Sequence, residues 1–369
     1  MDFYAKRREQ LIRQMAGEGI EASLVLNPSS VYYFTGLYTD PHERFLGLFM
    51  GQDGASVLVV PALEKEAAEQ YVEEVYSYSD HEGPIGAIKQ ALLKTKCSSI
   101  IGVEKDVLSL ERSEWLRELI PGISFRSLAP IIHALRSIKD EQEMQLLRKA
   151  AEMVDLVIQE GLSRLTRGMT EIDLVNELEW AAKRLGAQSM SFGTTVLSGA
   201  KSALPHGKPD QSIIQEGEYL LLDLGVVYKG YCSDITRTFM VGEGKAKHKE
   251  IYERVLLAEQ RAIEAVKPGL TMAELDAVAR NTISEAGYGQ YFTHRLGHGL
   301  GLEIHEYPSV HGENRDLLKP GLVFTIEPGI YLPGFGGVRI EDDVVVTETG
   351  VEVLTHYPKD WTSSIIFFE

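Results

Sequence analysis

YLLLDLGVVYKGYCSDIT, residues 219–236, sets two acids into otherwise apolar strands. The run from Tyr219 to Leu224 is too apolar for an exposed strand. The chain turns at Tyr228-Lys229-Gly230 and returns through Tyr231 to Thr236. With Tyr228 and Lys229 as the turn pair, Asp223 and Asp234 stand directly opposite on one face, their β-carbons about 5 Å apart. Like charges that close repel unless a cation lies between them.

Three further segments supply the same kind of residue in the same kind of setting. HRLGHGLGLEIHE (294–306), VFTIEPG (323–329) and VRIEDD (338–343) carry His298, Glu327 and Glu341. Taken singly, an Asp or Glu beside glycine is a turn or strand-end residue, and a lone His is a hydrogen-bonded loop residue. Jointly, four carboxylates and one imidazole in strand-like or glycine-rich segments need cations, because burying one unpaired carboxylate costs on the order of several kcal/mol. Hard oxygen ligands with a single His suit two divalent ions of the Mn, Co or Zn type. The constellation is that of a metallohydrolase. Arg339 stands two residues before Glu341, on the same side of a strand, where it can orient a carboxylate of the site.

Composition narrows the class. The chain has 369 residues, more than one core usually serves, so two domains are expected. Hydrophobic content of 44% with 25% charged residues is that of a globular protein. A net charge of −17 argues against nucleic-acid or anionic-membrane partners. Cys97 and Cys232 are too few for a disulfide scaffold. The N-terminus has no apolar signal core and no stretch approaches the length of a membrane span, which makes the cytoplasm the expected location.

Element signals alternate through the first third. A helix is expected over 5–18, strands at Ala22–Leu26, Leu46–Met50, Ser56–Val60 and Ile100–Val103, and helices near 63–71, 84–93 and 109–119. From Asp140, a helix N-cap, a long amphipathic helix runs to about Leu162. The chain is thus expected to divide into an α/β domain, 1–133, and a second domain, 134–369. The second domain echoes itself. Gly168, Thr170, Leu174 and Gly186 recur 101 residues later as Gly269, Thr271, Leu275 and Gly287. Gly217, Asp223 and Gly225 recur 104 residues later as Gly321, Glu327 and Gly329. A duplicated helix–hairpin unit, closing with metals between its halves, follows from that order.

The run His294-Arg295-Leu296-Gly297-His298-Gly299-Leu300-Gly301-Leu302-Glu303-Ile304-His305-Glu306 resembles the signature of prolidases and aminopeptidases P. The Asp-x-Gly strand, Asp-Ile-Thr-Arg, Glu-Pro-Gly-Ile-Tyr and Val-Arg-Ile-Glu-Asp match the same pita-bread metallopeptidases in order and spacing, over the whole chain. The resemblance implies an α/β N-terminal domain of creatinase/prolidase type, followed by an α+β pita-bread catalytic domain of creatinase/aminopeptidase type. It implies two divalent metal ions per chain, Mn foremost and Co or Zn as alternatives. Asp223 would bind one, His298 and Glu327 the other, and Asp234 and Glu341 both. Such ions activate water and polarise a carbonyl. Glu327 would handle the proton of the attacking water and His305 would stabilise the developing oxyanion. His206, His294, His305 and Arg339 would bind substrate, and His206 would help move protons.

The implied reaction is cleavage of the bond before proline in small peptides with proline second, by a homodimeric Xaa-Pro dipeptidase. The alternatives are an aminopeptidase P acting on longer Xaa-Pro peptides and a creatinase-like non-peptidase, whose relatives lack the metal set. In several prolidases an Arg soon after His-Glu-x-Pro reads the substrate carboxylate. Here Ser309 follows Pro308, so Arg295 or Arg44 is expected to take that task. Arg44 lies in the charged loop Asp40-Pro41-His42-Glu43-Arg44, which could cap a neighbouring subunit's site.

Overall fold

A computed structural model describes residues 3–368. The chain divides into two compact units between Arg136 and Ser137, at the end of the helix Ala129–Ser137. The first unit is built on a six-stranded sheet. Its order is Val75–Tyr78, Ser56–Pro61, Gly47–Gly51, Ala22–Val25, Ile100–Val103, Ser124–Ser127. The antiparallel meander Ala22–Val25, Gly47–Gly51, Ser56–Pro61 is flanked on both sides by parallel strands. Leu24, Phe49, Val57, Val59, Ile101 and Val103 pack against Ile88, Ala91 and Leu92 of the helix Ile85–Lys94. The helix expected over 63–71 is only a 3-10 turn, Ala62–Glu64, and a short helix, Lys65–Ala68. Leu63 and Tyr71 are 66% and 48% exposed, so the segment has little apolar surface to bury along a longer helix.

The second unit repeats one plan. Each half begins with a long helix, Glu141–Leu162 or Ala246–Ala265, followed by a shorter one, Glu171–Leu185 or Met272–Glu285. The shorter helices start at matching capping boxes, Thr170 with Asp173 and Thr271 with Glu274. Isolated bridges tie the same caps to the chain ahead of each hairpin, Thr170 to Ile213 and Thr271 to Leu317. Then come the hairpins themselves, Tyr219–Leu224 with Ile235–Val241 and Val323–Ile326 with Asp342–Val346.

Alternation along Tyr219–Leu224 decides where Asp223 points. Leu220, Leu222 and Leu224 join the core under the first pair of helices, with Val154, Val157, Leu174 and Leu178. Tyr219, on the opposite face with Asp223, belongs to the core of the second half, with Ile251, Val255, Leu275, Phe324 and Val344. The acid therefore faces the other half of the unit.

The first hairpin corrects the register read from sequence. Its turn pair is Lys229-Gly230, at φ 47° and 82°, between Tyr228 and Tyr231, which pair with one another. A two-residue turn that matches strand twist needs positive φ at both central positions. Gly230 takes that conformation freely, whereas Tyr228 would be strained in it, so the turn slides one residue towards the glycine. Asp223 then faces Thr236, not Asp234. A two-residue shift keeps every side chain on its face.

Candidate metal centre

A cavity of about 820 Å³ in the second unit is lined by Asp223, Asp234, His298, Glu327 and Glu341. His206, His294, Arg295, His305 and Arg339 line it too. Arg44 does not. In the first unit its guanidinium forks onto Asp80, with Nε 2.8 Å and Nη2 2.9 Å from the two carboxylate oxygens.

His298 is carried by the short strand Gly297–Gly299. Neighbouring strands press so closely that a Cβ at Gly297 would lie 1.8 Å from the carbonyl oxygen of Thr325, and one at Gly299 2.3 Å from that of Tyr307. The glycines flanking His298 are therefore a packing requirement. The imidazole Nδ1 lies 3.1 Å from the Gly299 carbonyl, which makes Nδ1–H the donor and leaves the Nε2 lone pair aimed at the acids. Burial, with His305 nearby, pushes the His298 pKa down to about 3, so the ring is neutral. Nε2 lies 3.6 Å from Asp234 Oδ2 and 3.7 Å from Glu327 Oε1. Those separations are too long for hydrogen bonds and leave room for an ion.

Ligand atoms of Asp234, His298 and Glu341 lie within 4.8 Å of one another, and all three side chains are buried. Asp234 Oδ1 is buried without a hydrogen-bond partner among the described residues. Burial, reinforced by Glu341 and the other acids, drives the Asp234 pKa well above the carboxylate range. Burial and Glu341 do the same to Glu327. Burial and Asp223 push Glu341 up to about 7. Without a cation these acids cannot all be ionised at neutral pH. An orphaned carboxylate oxygen, a neutral imidazole and clustered acids fit a divalent metal.

Two arms hold the acids in place. Thr236 Oγ1 donates to Glu341 Oε2 at 2.6 Å, and the Glu341 N–H donates to the Thr236 carbonyl at 3.1 Å. Arg339 donates through Nη2 to Asp223 Oδ2, through Nε to Thr236 Oγ1 at 3.0 Å and through Nη1 to the Tyr331 hydroxyl at 3.0 Å. That hydroxyl is 2.8 Å from His294 Nε2, while His294 Nδ1 is 2.8 Å from the Arg295 carbonyl. Nδ1–H therefore donates to the carbonyl, and Tyr331 donates to Nε2. Burial, with Arg339 second, pushes His294 down to about 4 and keeps it neutral. The His305 ring stands edge-on to His298 at 4.3 Å between centroids.

Three site residues escaped the sequence reading: Tyr331, Thr236 and Asp343. Asp343 Oδ2 accepts from the Asp234 backbone N–H at 2.9 Å. Alternation alone could have found two of them. Tyr331 shares a strand face with Gly329 and Glu327, and Asp343 shares one with Glu341 and Arg339. Asp342, on the opposite face, turns away to Arg237 and Lys359 and is held below the carboxylate range by them.

Comparison with known proteins agrees with this geometry. Residues 145–348 match the model of metallopeptidase family M24, and residues 7–138 match the creatinase/prolidase N-terminal domain. YkvY of Bacillus subtilis, provisionally named a dipeptidase, is 46% identical over 93% of this chain and 95% of its own. A solved Xaa-Pro dipeptidase from Bacillus anthracis is 37% identical with a TM-score of 0.91, covering 98% of this chain and 100% of the other. A solved X-Pro aminopeptidase from Thermotoga maritima is 35% identical with a TM-score of 0.87, covering 98% of this chain and 99% of the other. The chain belongs to metallopeptidase family M24, in the form that carries a creatinase/prolidase N-terminal domain on a pita-bread catalytic domain.

Proposed function

We propose that this metallopeptidase is a prolidase, hydrolysing the bond before proline in Xaa-Pro dipeptides as a cytoplasmic homodimer with two divalent ions per chain, Mn most readily. The observation that carries the reading is the meeting of five ligand side chains with His206, His294, Arg295 and His305 in one cavity. Asp223, Asp234, His298, Glu327 and Glu341 would hold the ions. When bound, the ions supply Lewis acidity that lowers the pKa of water and polarises the scissile carbonyl. Glu327, partly open to the cavity, takes a proton from the attacking water and delivers it to the proline nitrogen, which leaves as an amine. His305 donates to the carbonyl oxygen as it gains charge, His206 holds the substrate backbone, and His294, with both ring nitrogens engaged, presents its ring to the substrate as part of the cavity wall. Arg339 fixes Asp223 from the cavity wall.

The free carboxylate of a dipeptide requires a cation, and a fork-shaped guanidinium serves best. Arg295 is the candidate favoured by position. It lines the cavity, and its Nη1 donates at 3.1 Å to Ser309 Oγ, the residue standing where several prolidases have Arg. Arg44, forked onto Asp80, is the weaker candidate. Arg295→Ala is expected to raise KM for Xaa-Pro dipeptides far more than for Xaa-Pro amides. Equal effects would mean that Arg295 does not read the carboxylate.

Aminopeptidase P is the second reading, favoured by Ser309 itself and by the likeness to the Thermotoga structure. Metal-stripped protein resupplied with Mn, Co or Zn decides between them. Xaa-Pro dipeptides cleaved faster than Xaa-Pro tripeptides support the prolidase reading; the reverse order supports aminopeptidase P.

A further inference from the structure

His294 and Arg295 lie in a connection without regular structure, between the short 3-10 turn Gly289–Tyr291 and the strand Gly297–Gly299. Backbone carbonyls in such a segment have no ladder to supply donors, so something else must satisfy them. Two of them, those of Phe292 and His294, are met by one side chain. Arg280, on the helix Met272–Glu285, donates through Nη1 to the Phe292 carbonyl at 3.0 Å and through Nη2 to the His294 carbonyl at 2.9 Å.

Arg280 is itself held. Its Nε and Nη2 fork onto the two oxygens of Asp276, each at 2.8 Å, and the Asp276 side chain is only 1% exposed. The guanidinium also lies over the Phe292 ring, 4.3 Å from its centroid. That ring stands edge-on to the imidazole of His294 at 5.1 Å. Three contacts thus run from one arginine to the segment that delivers His294 to the cavity. The buried Asp276 carboxylate fixes a partly exposed guanidinium in a bidentate pair, and the guanidinium's other hydrogen bonds go to this one segment. Beyond the clamp, the His294 ring is already committed at both nitrogens, to Arg295 O and Tyr331 Oη, so a small shift of its backbone would break both hydrogen bonds.

We propose that Arg280, fixed by Asp276, is a positioning residue that clamps the Phe292–His294 backbone and thereby sets the His294 imidazole in the substrate cavity. The proposal rests on reading His294 as a substrate-binding residue. Arg280 touches no substrate, so its effect passes through His294 and is felt in KM before kcat.

Arg280→Met would leave Asp276 buried and unpaired and could fail to fold, so Arg280→Lys is the first variant. It keeps a cation for Asp276 but lacks the fork. Asp276→Asn/Arg280→Met, which removes both charges, is the second. Each is made in the wild-type and His294→Ala backgrounds, with metal content, kcat and KM for an Xaa-Pro dipeptide measured throughout. The expected result is a KM raised about tenfold in the wild-type background, the scale of one lost charge-assisted hydrogen bond, with metal content unchanged. In the His294→Ala background the same changes should alter KM by less than about twofold. An equal fold-change in both backgrounds, with His294→Ala itself impaired, would overturn the clamp and leave the reading of His294 standing. If His294→Ala alone has wild-type kinetics while Arg280→Lys does not, the clamp acts elsewhere, and it falls together with the reading of His294.

Discussion

The two hairpins of the catalytic domain share one layout and carry different chemistry. In the first, Asp223-Leu224-Gly225 runs against Asp234-Ile235-Thr236, with Asp223 paired to Thr236. In the second, Glu327-Pro328-Gly329 runs against Arg339-Ile340-Glu341, with Gly329 paired to Arg339. The flanking pairs, Ile326 with Asp342 and Gly329 with Arg339, carry Glu327 across from Glu341. Position for position, acid matches acid, Gly225 matches Gly329, Thr236 matches Glu341 and Asp234 matches Arg339. The hairpins meet at the bridge between Thr236 and Glu341, where the hydroxyl of one half supports the carboxylate of the other. Likewise Arg339 of the second half holds Asp223 of the first. A duplicated unit thus places its side chains by backbone symmetry, and changes at two matched positions make each copy support the other.

That division can be broken in order of severity. Glu341→Ala removes a proposed ligand, and Asp234→Ala another; each is expected to cut kcat/KM by on the order of 10³-fold or more, several kcal/mol of lost stabilisation. Thr236→Val, at the position matching Glu341, removes only the support and should cost about 10–100-fold in metal affinity. Comparable losses from Glu341→Ala and Thr236→Val, by metal titration, would erase the distinction between ligand and support. His305→Ala is expected to lower turnover about 10²-fold with metal content near wild type. Loss of metal in that variant would move His305 among the ligands.

A gentler probe uses protons. In metal-free protein Glu341 is raised to about 7, against 4.5 for the ordinary group. Below about 4.5 the carboxyl is neutral in both folded and unfolded chains, and its stabilising difference is fully present. As pH rises towards 7 the unfolded chain ionises first, so stability is lost across that window. The Tm of chelator-stripped protein should therefore fall between pH 5 and 8, and Glu341→Gln should flatten the fall. A stripped wild type that gains stability over the same range would contradict the burial of these acids. The smallest effect tests the corrected turn. Lys229→Asn places a residue suited to positive φ before Gly230 and should stabilise by about 0.5 kcal/mol in denaturant melts. Tyr228→Asn should bring no such gain, because Tyr228 pairs with Tyr231 outside the turn, whereas a turn centred on Tyr228-Lys229 predicts a gain there too.

Much of this was legible in the sequence because it rests on short-range pattern. The candidate ligand acids stood out by sitting in apolar strands, and the echo of Gly168, Thr170 and Asp223 at Gly269, Thr271 and Glu327 announced the duplication. The hairpin register was misread because apolar alternation fixes which face a residue takes but not its partner; only the φ demands of Lys229-Gly230 do that. Edge strands Val75–Tyr78 and Ser124–Ser127 were missed because they are short and only partly buried. Residues that act by long-range contact left no local mark. Arg280 reaches His294 fourteen residues on, and Thr236 reaches Glu341 across more than a hundred.

The most direct test is a titration of Mn into metal-stripped protein, read by hydrolysis of an Xaa-Pro dipeptide with bound metal measured on the same samples. Activity should be absent in the stripped protein and should rise to a plateau at two ions per chain. Full hydrolysis by protein that holds no metal, or two bound ions without any cleavage before proline, would contradict the assignment of this cavity as a prolidase centre.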